Sequence, residues 1–326
     1  MPKKIIISKI GDPEVLKYVD YNLDTLNDES VRIKQNSIGV NYIDTYHRTG
    51  IYPLPNKLPV CPGLEASGEI IDIGRKVTNF KIGDKVCYAT TPLGAYCEIR
   101  DFPESKIIKI PLGISDDIAA SILLKGMTVE YLFQRLYTIK KNEIILFHAA
   151  AGGVGLVACQ WAQSVGCEMI GTVSNDDKAK QAKDNGCTHV INYKKENVIE
   201  KVKDITNGKG VPVVFDGVGK DTFETSLECL DYRGLLVAFG QSSGMIKDVN
   251  LHNTFNPKSL FFTRPTLMHY NQTRNQLEQS SNELFKKIIN KEIKAHIYKK
   301  VNLEFASEAH RILQSRESSG SIILKP

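Results

Sequence analysis

A glycine-rich turn is the feature of this sequence with the clearest chemical meaning. Its spacing is Ala150-x-Gly152-x-x-Gly155. A short apolar run at residues 143–147 precedes it, and an apolar pattern with helical spacing follows at once. Such a strand–turn–helix unit brings backbone close to a pyrophosphate, whose charge is stabilised by unpaired amides at the helix N-terminus. The turn predicts a dinucleotide site, and the alternative is a tightly packed corner that binds no ligand.

The choice between NADH and NADPH depends on the end of the second predicted strand, residues 168–173. An NAD site has an acidic residue there for the adenosine ribose, whereas an NADP site needs space and positive charge for the 2′-phosphate. Here Ser174 holds that position, and Lys178 lies one turn into the next helix. We therefore expect NADPH. The alternative is that Lys178 is an ordinary exposed helix residue, with Asp176 and Asp177 offsetting part of its charge.

A second concentration of polar and aromatic side chains lies at residues 41–53, which we predict to form a short helix and a loop. Amphipathic side chains crowded into one loop indicate a binding surface. His47 belongs to this segment, but a solvated edge suits it equally well. His148, at the end of the buried strand before the glycine turn, is interpreted as a packed, hydrogen-bonded histidine rather than a catalytic base.

The spacing of the cysteines and histidines argues against a zinc site. A catalytic zinc ion needs about three Cys, His or carboxylate ligands, and a structural one needs four closely spaced thiolates. The seven cysteines form no C-x-x-C pair, and the seven histidines form no H-E-x-x-H motif. We therefore predict hydride transfer without a metal, which favours quinones and conjugated enones over simple alcohols and ketones.

The elements that must position these residues fall into two kinds. Residues 1 to 110 contain short apolar runs separated by Gly, Pro, Asp and Asn, which predicts a β-rich domain. From the glycine turn onward strands alternate with helices, as in a parallel sheet covered by helices. Together with the strand before the turn, a six-stranded Rossmann sheet is predicted from strands at residues 168–173, 190–191, 211–216, 235–240 and 259–262.

Composition limits the remaining possibilities. A net charge of +5 among 326 residues is too small and too dispersed to indicate a nucleic-acid partner. The odd number of scattered cysteines, seven, predicts reduced thiols in a cytoplasmic protein. No apolar run approaches the roughly 18 residues that a membrane span needs, so we expect no membrane association.

Several short segments are characteristic in combination. They are NYIDTY at 41–46, PGLEASG at 62–68, GDKV at 83–86, LKGMT at 124–128, HAAAGGVG at 148–155, INY at 191–193, DGVG at 216–219 and FGQSSG at 239–244. Together they resemble the zinc-independent NADPH:quinone oxidoreductases, the zeta-crystallin-like branch of the medium-chain dehydrogenase/reductase superfamily. The resemblance covers essentially the whole chain.

The resemblance implies an α/β protein with a doubly wound parallel Rossmann sheet and a GroES-like β-rich catalytic domain. Residues 1–125 and 266–326 would form the GroES-like domain, and residues 126–265 the NADPH-binding Rossmann domain. A homodimer is also implied. Zinc-dependent relatives carry a cysteine where this chain has Asn41 and a histidine where it has Leu64, which agrees with the absence of a zinc motif.

The resemblance also implies roles for individual residues. Those expected to line the nicotinamide and quinone pocket, and so to be catalytic, are Asn41, Tyr46, Tyr52 and Arg264. Those expected to hold NADPH are Asn41, Thr128, Gly152, Gly153, Val154, Ser174, Lys178, Tyr193, Phe239, Gly240, Ser242 and Arg316. The alternatives are that the two tyrosines only pack the loop, that Asn41 caps a turn and that Arg264 forms a surface ion pair.

Three positions depart from the usual pattern of this branch. His47 replaces an aliphatic residue, Gly217 stands where relatives often have Ser, and Glu130 is charged where relatives are polar. No strong acid or base stands out, so we expect catalysis mainly by positioning, with tyrosine or water relaying a proton. The competing hypotheses are reduction of an enone or enoyl thioester, and a non-catalytic role as a crystallin or RNA-binding protein.

Overall fold

The computed structural model describes residues 1–54 and 57–326, which divide into two compact units. The first unit consists of residues 1–127 and 271–326, and the second of residues 128–270. In the described part of the chain, every helix is too short or too polar to cross a membrane.

The first unit is built mainly from strands. The strands are β1 (Lys3–Ile7), β2 (Leu16–Asp20), β3 (Ser30–Val40), β4 (Glu65–Ile73), β5 (Lys85–Ala89), β6 (Ile99–Pro103), β7 (Ile108–Lys109), β14 (Ile297–Asn302) and β15 (Ser321–Lys325). The helices are α1 (Tyr42–Thr49), α2 (Asp116–Glu130, whose last three residues belong to the second unit), α9 (Arg274–Ile289) and α10 (Ala306–Gln314).

Strand β3 organises this unit because it pairs with three neighbours. Its first half pairs with β6, most of its length pairs with β4, and its last residues pair with the C-terminal strand β15, all antiparallel. The sheet order is β14-β15-β3-β4-β5-β7. Val31, Ile33 and Ile38 of β3 are fully buried in the core beneath the sheet. The chain terminus thus becomes an interior strand of the N-terminal sheet.

The second unit has the predicted Rossmann architecture. Its strands are β8 (Ile144–Phe147), β9 (Glu168–Val173), β10 (His189–Asn192), β11 (Val211–Asp216), β12 (Leu230–Ala238) and β13 (Phe261–Thr263). Its helices are α3 (Gly153–Val165), α4 (Asp176–Asp184), α5 (Val198–Ile205), α6 (Phe223–Cys229), α7 (Leu251–Phe255) and α8 (Leu267–Tyr270), and a π-helical segment (Tyr131–Leu136) continues α2.

The six strands of this unit are all parallel, in the order β10-β9-β8-β11-β12-β13. Since β8 is the first strand of the unit, this is the 3-2-1-4-5-6 order of a doubly wound dinucleotide fold, and the predicted fold class is confirmed. Two details differ from the sequence-based expectation. Strand β12 begins at Leu230 rather than at residue 235. Its register with β11 shifts between the pairs Val211–Leu230 and Val213–Leu235. Helix α6, which had no predicted counterpart, fills the connection before it.

Gly155 permits the close approach of α3 to the strand that precedes it. A Cβ atom at Gly155 would lie 2.4 Å from the carbonyl oxygen of Ala149 and 2.5 Å from that of Ala150. At Gly152 the nearest atom to an added Cβ, the same Ala149 oxygen, is 3.2 Å away. The two glycines of the turn therefore differ in function: Gly155 is required for packing, whereas Gly152 leaves space in front of the helix.

We predict that Gly155→Ala lowers the free energy of unfolding by about 1–3 kcal/mol, because the new methyl group must displace backbone. Gly152→Ala is the matched control and should cost less, since its φ of −75° suits alanine. Urea denaturation of both variants measures the difference. Equal losses would contradict the packing role assigned to Gly155.

Candidate active site

The start of helix α3 has the properties of an anion site. Gly152 is its N-cap residue, and no side chain caps the helix. The first amides of a helix have no partner within it, and residues 152–154 are half-buried whereas residues 155–162 are buried. By contrast, α4 and α5 are capped by the side chains of Asn175 and Asn197. The uncapped, glycine-lined start of α3 therefore fits a phosphate group.

The ends of β9 and β10 bring together three of the predicted NADPH residues. Ser174 follows β9, Lys178 lies in the first turn of α4, and the amide of Tyr193 donates to the Val173 carbonyl at 3.1 Å. The carboxylate of Asp176 accepts from Lys195 Nζ at 2.5 Å and from the side-chain amide of Asn192 at 2.9 Å. The negative charge of Asp176 is thus paired with Lys195.

The ends of β11 and β12 bring together a second set. The Ser242 amide donates to the Gly217 carbonyl at 3.2 Å. A Cβ atom at Gly217 would lie 2.9 Å from the ring of Phe239. The glycine at 217, one of the departures from the family pattern, therefore makes room for that ring.

Arg264 is attached to the loop that follows β12. Its Nη1 donates to the carbonyl of Ala238 at 2.7 Å and of Gly240 at 3.3 Å, and its Nη2 donates to Gln241 Oε1 at 2.8 Å. These hydrogen bonds hold Arg264 against Gly240, one of the residues predicted to bind NADPH.

His148 is a structural histidine. Its Nδ1 lies 3.0 Å from Thr172 Oγ1 and its Nε2 lies 3.0 Å from Ser226 Oγ. Ser226 in turn donates to Asp216 at 2.8 Å. Burial lowers the pKa of His148 and keeps the imidazole neutral. The prediction of a packed, hydrogen-bonded side chain is confirmed.

In the first unit, Asn41 is the N-cap residue of α1 and the centre of a buried polar cluster. Its Nδ2 donates to Glu65 Oε2 at 2.7 Å, and its Oδ1 accepts from Lys125 Nζ at 2.8 Å. Lys125 Nζ also lies 3.7 Å from Glu65 Oε2. Asn41, Glu65 and Lys125, called the Asn41 cluster below, fix the orientation of the amide because exchanging its oxygen and nitrogen would oppose like groups.

Glu65 is the most confined member of the Asn41 cluster. It is fully buried, and its second oxygen accepts from the Leu124 amide at 2.7 Å. Burial raises the pKa of Glu65, while Lys125 and Asn41 act in the opposite direction by stabilising the carboxylate. Neither charged residue was assigned a role from sequence. The sequence did contain a signal for buried charges, since Glu65 and Lys125 are the single charges in the apolar segments PGLEASG and ILLKGMT.

Asp44 extends the polar network through the interior of the first unit. Its Oδ2 accepts from the Asn41 amide at 2.9 Å and from the Tyr96 hydroxyl at 3.0 Å. Burial raises the pKa of Asp44 to about 7. The Tyr96 oxygen is also 3.0 Å from His310 Nε2, whose Nδ1 is 3.3 Å from the buried guanidinium of Arg48. Burial and Arg48 lower the pKa of His310 to about 3, so that this histidine is neutral.

The predicted tyrosines lie together beside this network. The ring centroids of Tyr46 and Tyr52 are 5.2 Å apart in an edge-on arrangement, and Tyr52 is 5.8 Å from the ring of His47. Burial lowers the pKa of His47. The structure therefore places His47 in the aromatic group rather than on a solvated edge.

Three further residues singled out from the sequence lie at the end of α2 and after α10. Thr128 is buried in α2, and Glu130, two residues later, is neutralised by Arg135 at 2.6 Å. Arg316 is exposed in the loop after α10 of the first unit. Among residues 1–54 and 57–326, no three His, Cys, Asp or Glu side chains are placed to hold a metal ion.

Comparison with known proteins agrees with this geometry. Residues 27–141 match the alcohol dehydrogenase GroES-like domain, and residues 153–287 match the family described as zinc-binding dehydrogenase. The chain is 46% identical to a quinone oxidoreductase of Pseudomonas aeruginosa over 326 residues, covering 100% of both chains. It is 39% identical to a 2-haloacrylate reductase of Burkholderia sp. over 98% of both. The crystal structure of Escherichia coli quinone oxidoreductase complexed with NADPH has a TM-score of 0.97 at 46% identity, covering 99% of this chain and 100% of that one.

The Asn41 cluster leads to a stability prediction. Lys125→Met leaves the Glu65 carboxylate buried without its cation, which should lower the free energy of unfolding by about 3–5 kcal/mol. Protonation of Glu65 relieves part of this cost. Because the folded variant then binds a proton that the unfolded chain has lost, the destabilisation relative to the parent should grow between pH 5 and pH 8.

The control is the double variant Glu65→Gln/Lys125→Met, which removes both charges. It should regain most of the lost stability and show no such growth with pH, as measured by chemical denaturation at several pH values. A double variant that is as unstable as Lys125→Met at every pH would show that the ion pair is not what stabilises the cluster.

Proposed function

We propose that this chain, which belongs to the quinone oxidoreductase family of the medium-chain dehydrogenase/reductase superfamily, catalyses the reduction of quinones by NADPH. The observation that carries the proposal is the uncapped start of α3 together with Ser174 and Lys178 at the end of the adjacent strand. The full-length similarity to quinone oxidoreductases, one of them solved with NADPH, supports the same conclusion.

The residues of the second unit fit a dinucleotide phosphate. The amides of Gly153 and Val154 would bind the pyrophosphate, because they open α3 without a competing cap. Gly152, whose own amide donates to the Ala149 carbonyl at 2.9 Å, would let the phosphate approach the backbone closely. Ser174, Lys178 and Tyr193 would bind the 2′-phosphate through hydroxyl and ammonium donors. The other residues proposed to contact the cofactor are Asn41, Thr128, Phe239, Gly240, Ser242 and Arg316. When bound, NADPH supplies the hydride that reduces the quinone.

For the substrate, we propose Asn41, Tyr46, Tyr52 and Arg264. The Asn41 cluster leaves the side-chain amide with one N–H beyond its bonds to Glu65 and Lys125. A fixed amide of this kind orients a polar ring without reorganisation during the reaction. The tyrosine hydroxyls, or a water molecule, would give the proton that the reduced quinone oxygen requires. Glu65 and Lys125 act in this scheme as positioning residues.

Several properties of the protein accompany this proposal. Asn41 and Leu64 stand at the positions of zinc ligands in zinc-dependent relatives, which supports a reaction without metal. Strand β13 lies at a sheet edge with Phe261 60% and Phe262 42% exposed, which supports a homodimer through that edge. All seven cysteines are free and six are buried, which supports a reducing compartment, the cytoplasm.

A second candidate substrate class is the conjugated acids. It is favoured by the 39% identity to a 2-haloacrylate reductase. The same hydride chemistry applies to a carbon–carbon double bond that is polarised by a carbonyl group. Quinones remain the main proposal because the relatives at 44–46% identity are quinone oxidoreductases.

The test of the function is NADPH oxidation by the purified protein with 1,4-benzoquinone, 9,10-phenanthrenequinone, 2-chloroacrylate and an enoyl thioester. We expect turnover with at least one quinone, unchanged by a strong chelator. Turnover with 2-chloroacrylate or the thioester alone would favour the second candidate. Tight NADPH binding without turnover of any of them would support a non-catalytic role.

The cofactor preference depends on Lys178. We predict that Lys178→Ala weakens NADPH binding by about 10- to 100-fold, because a charge-assisted hydrogen bond to phosphate contributes about 1.5–3 kcal/mol. NADH binding should change little. Lys180→Ala is the matched control, since Lys180 lies on the same helix but is exposed and paired with Asp184 at 2.8 Å. Titration calorimetry would refute the assignment if Lys178→Ala weakened both cofactors equally.

A further inference from the structure

Two cysteines line a cavity of the first unit that includes none of the residues assigned to NADPH or quinone. The cavity measures about 200 Å³. Its walls include Lys4, Tyr21, Cys61, Cys97 and Arg100. Cys61 is partly exposed, whereas Cys97 is only 4% exposed. Hydrogen peroxide and other small oxidants are small compared with a space of this size.

The backbone holds the two sulfur atoms side by side. Strand β1 bridges to both cysteine segments, through Lys4 with Cys97 and through Ile7 with Val60. Cys61 Sγ lies 3.4 Å from the carbonyl oxygen of Tyr96, the residue before Cys97. The Tyr96 amide also donates to the Pro62 carbonyl at 3.0 Å, which joins the two cysteine segments directly. The segments of Cys61 and Cys97 are therefore neighbours, and both cysteines lie in the wall of the same cavity.

The charged side chains in the cavity wall around Cys97 are the basic Lys4 and Arg100 and the acidic Asp24 and Asp101. The Arg100 guanidinium lies over the rings of Tyr88 and Phe102, at 5.0 and 4.3 Å from their centroids. Its Nη2 donates to the carbonyls of residues 92 and 93, and its buried Nη1 has no hydrogen-bond partner within the described residues. Cys61 lowers the pKa of Cys97 most, and Arg100, Tyr21 and Lys4 lower it further against the effect of burial. A thiolate at Cys97 is thus stabilised.

We propose that Cys61 and Cys97 form a peroxide-sensitive dithiol, in which Cys97 is oxidised first and Cys61 resolves it as an intramolecular disulfide. The Cys97 thiolate attacks one oxygen of hydrogen peroxide, the O–O bond breaks, and a sulfenic acid and hydroxide form. The Cys61 sulfur then attacks the Cys97 sulfur and water leaves. In total, two thiols lose two protons and two electrons, and one peroxide becomes two waters.

A second cysteine pair provides an internal control. Cys159 and Cys187 are also neighbours in contact, and Cys187 is 4% exposed, as Cys97 is. That contact and burial both raise the pKa of Cys159. Neither residue lines the cavity. The second pair is therefore buried and away from the cavity, and its thiolate is not stabilised, so we expect Cys159 and Cys187 to stay reduced.

The test is oxidation of the native full-length protein by a small molar excess of hydrogen peroxide, followed by alkylation of the remaining thiols and peptide mass spectrometry. We expect a peptide pair linked through residues 61 and 97, a mass loss of about 2 Da, and reversal by dithiothreitol. Linkage of other cysteines, or first modification at Cys159 or Cys187, would overturn the proposal. The readout does not involve NADPH or quinone, so it is independent of the proposed function.

Variants separate the roles of the two sulfurs. In Cys61→Ser, Cys97 should accumulate as a sulfenic acid that dimedone traps, whereas Cys97→Ser should leave Cys61 reduced. Lys4→Met should slow disulfide formation severalfold without changing the product, which a merely structural lysine would not do. If both serine variants lost thiols at the parent's rate, the assignment would be wrong. Circular dichroism establishes that each variant is folded before it is scored.

Discussion

The burial of one carboxylate, that of Glu65, constrains most of the polar interior of the first unit. An ionised carboxylate is stable away from water only when its oxygens are fully hydrogen-bonded or paired. Glu65 meets this requirement with three partners. They are the backbone amide of Leu124 in α2, the side-chain amide of Asn41 at the start of α1, and the ammonium group of Lys125. Gly39 of β3 leaves room for this carboxylate, since a Cβ atom there would lie 2.2 Å from Glu65 Oε2. Four segments of chain are thereby fixed around one charge.

The polar groups of the second unit are of two kinds: some are hydrogen-bonded to one another, and others have no side-chain partner. At the interior ends of the central strands, His148, Ser226 and Asp216 satisfy one another, and Asp216 also accepts from the amides of residues 218 and 219. At the start of α3, no side chain satisfies the first amides. Buried polar groups are normally paired. Uncapped amides beside this paired group are the arrangement that a bound anion would complete.

The fold was largely predictable because its signals are local. The apolar strand at residues 144–147, the glycines after it, and the alternation of strand and helix each depend on neighbouring residues, and they define a Rossmann sheet in any context. Helix α6 and the early start of β12 were missed. The apolar residues of α6, such as Phe223 and Leu227, acquire their meaning only by packing on the sheet, so their short segment carried little periodic signal.

The sequence by itself determined the fold class, the position of the dinucleotide turn and the lack of spaced zinc ligands, because each is encoded in residue types at short separations. Only the tertiary structure decided which side chains share a charge or a hydrogen bond. Lys125 lies 84 positions from Asn41, and Cys61 and Cys97 come from separate segments joined by β1. Asp176 forms an ion pair with Lys195. Such partners depend on how distant segments pair in the folded protein. The spacing of residues along the chain does not indicate which distant segments will pair.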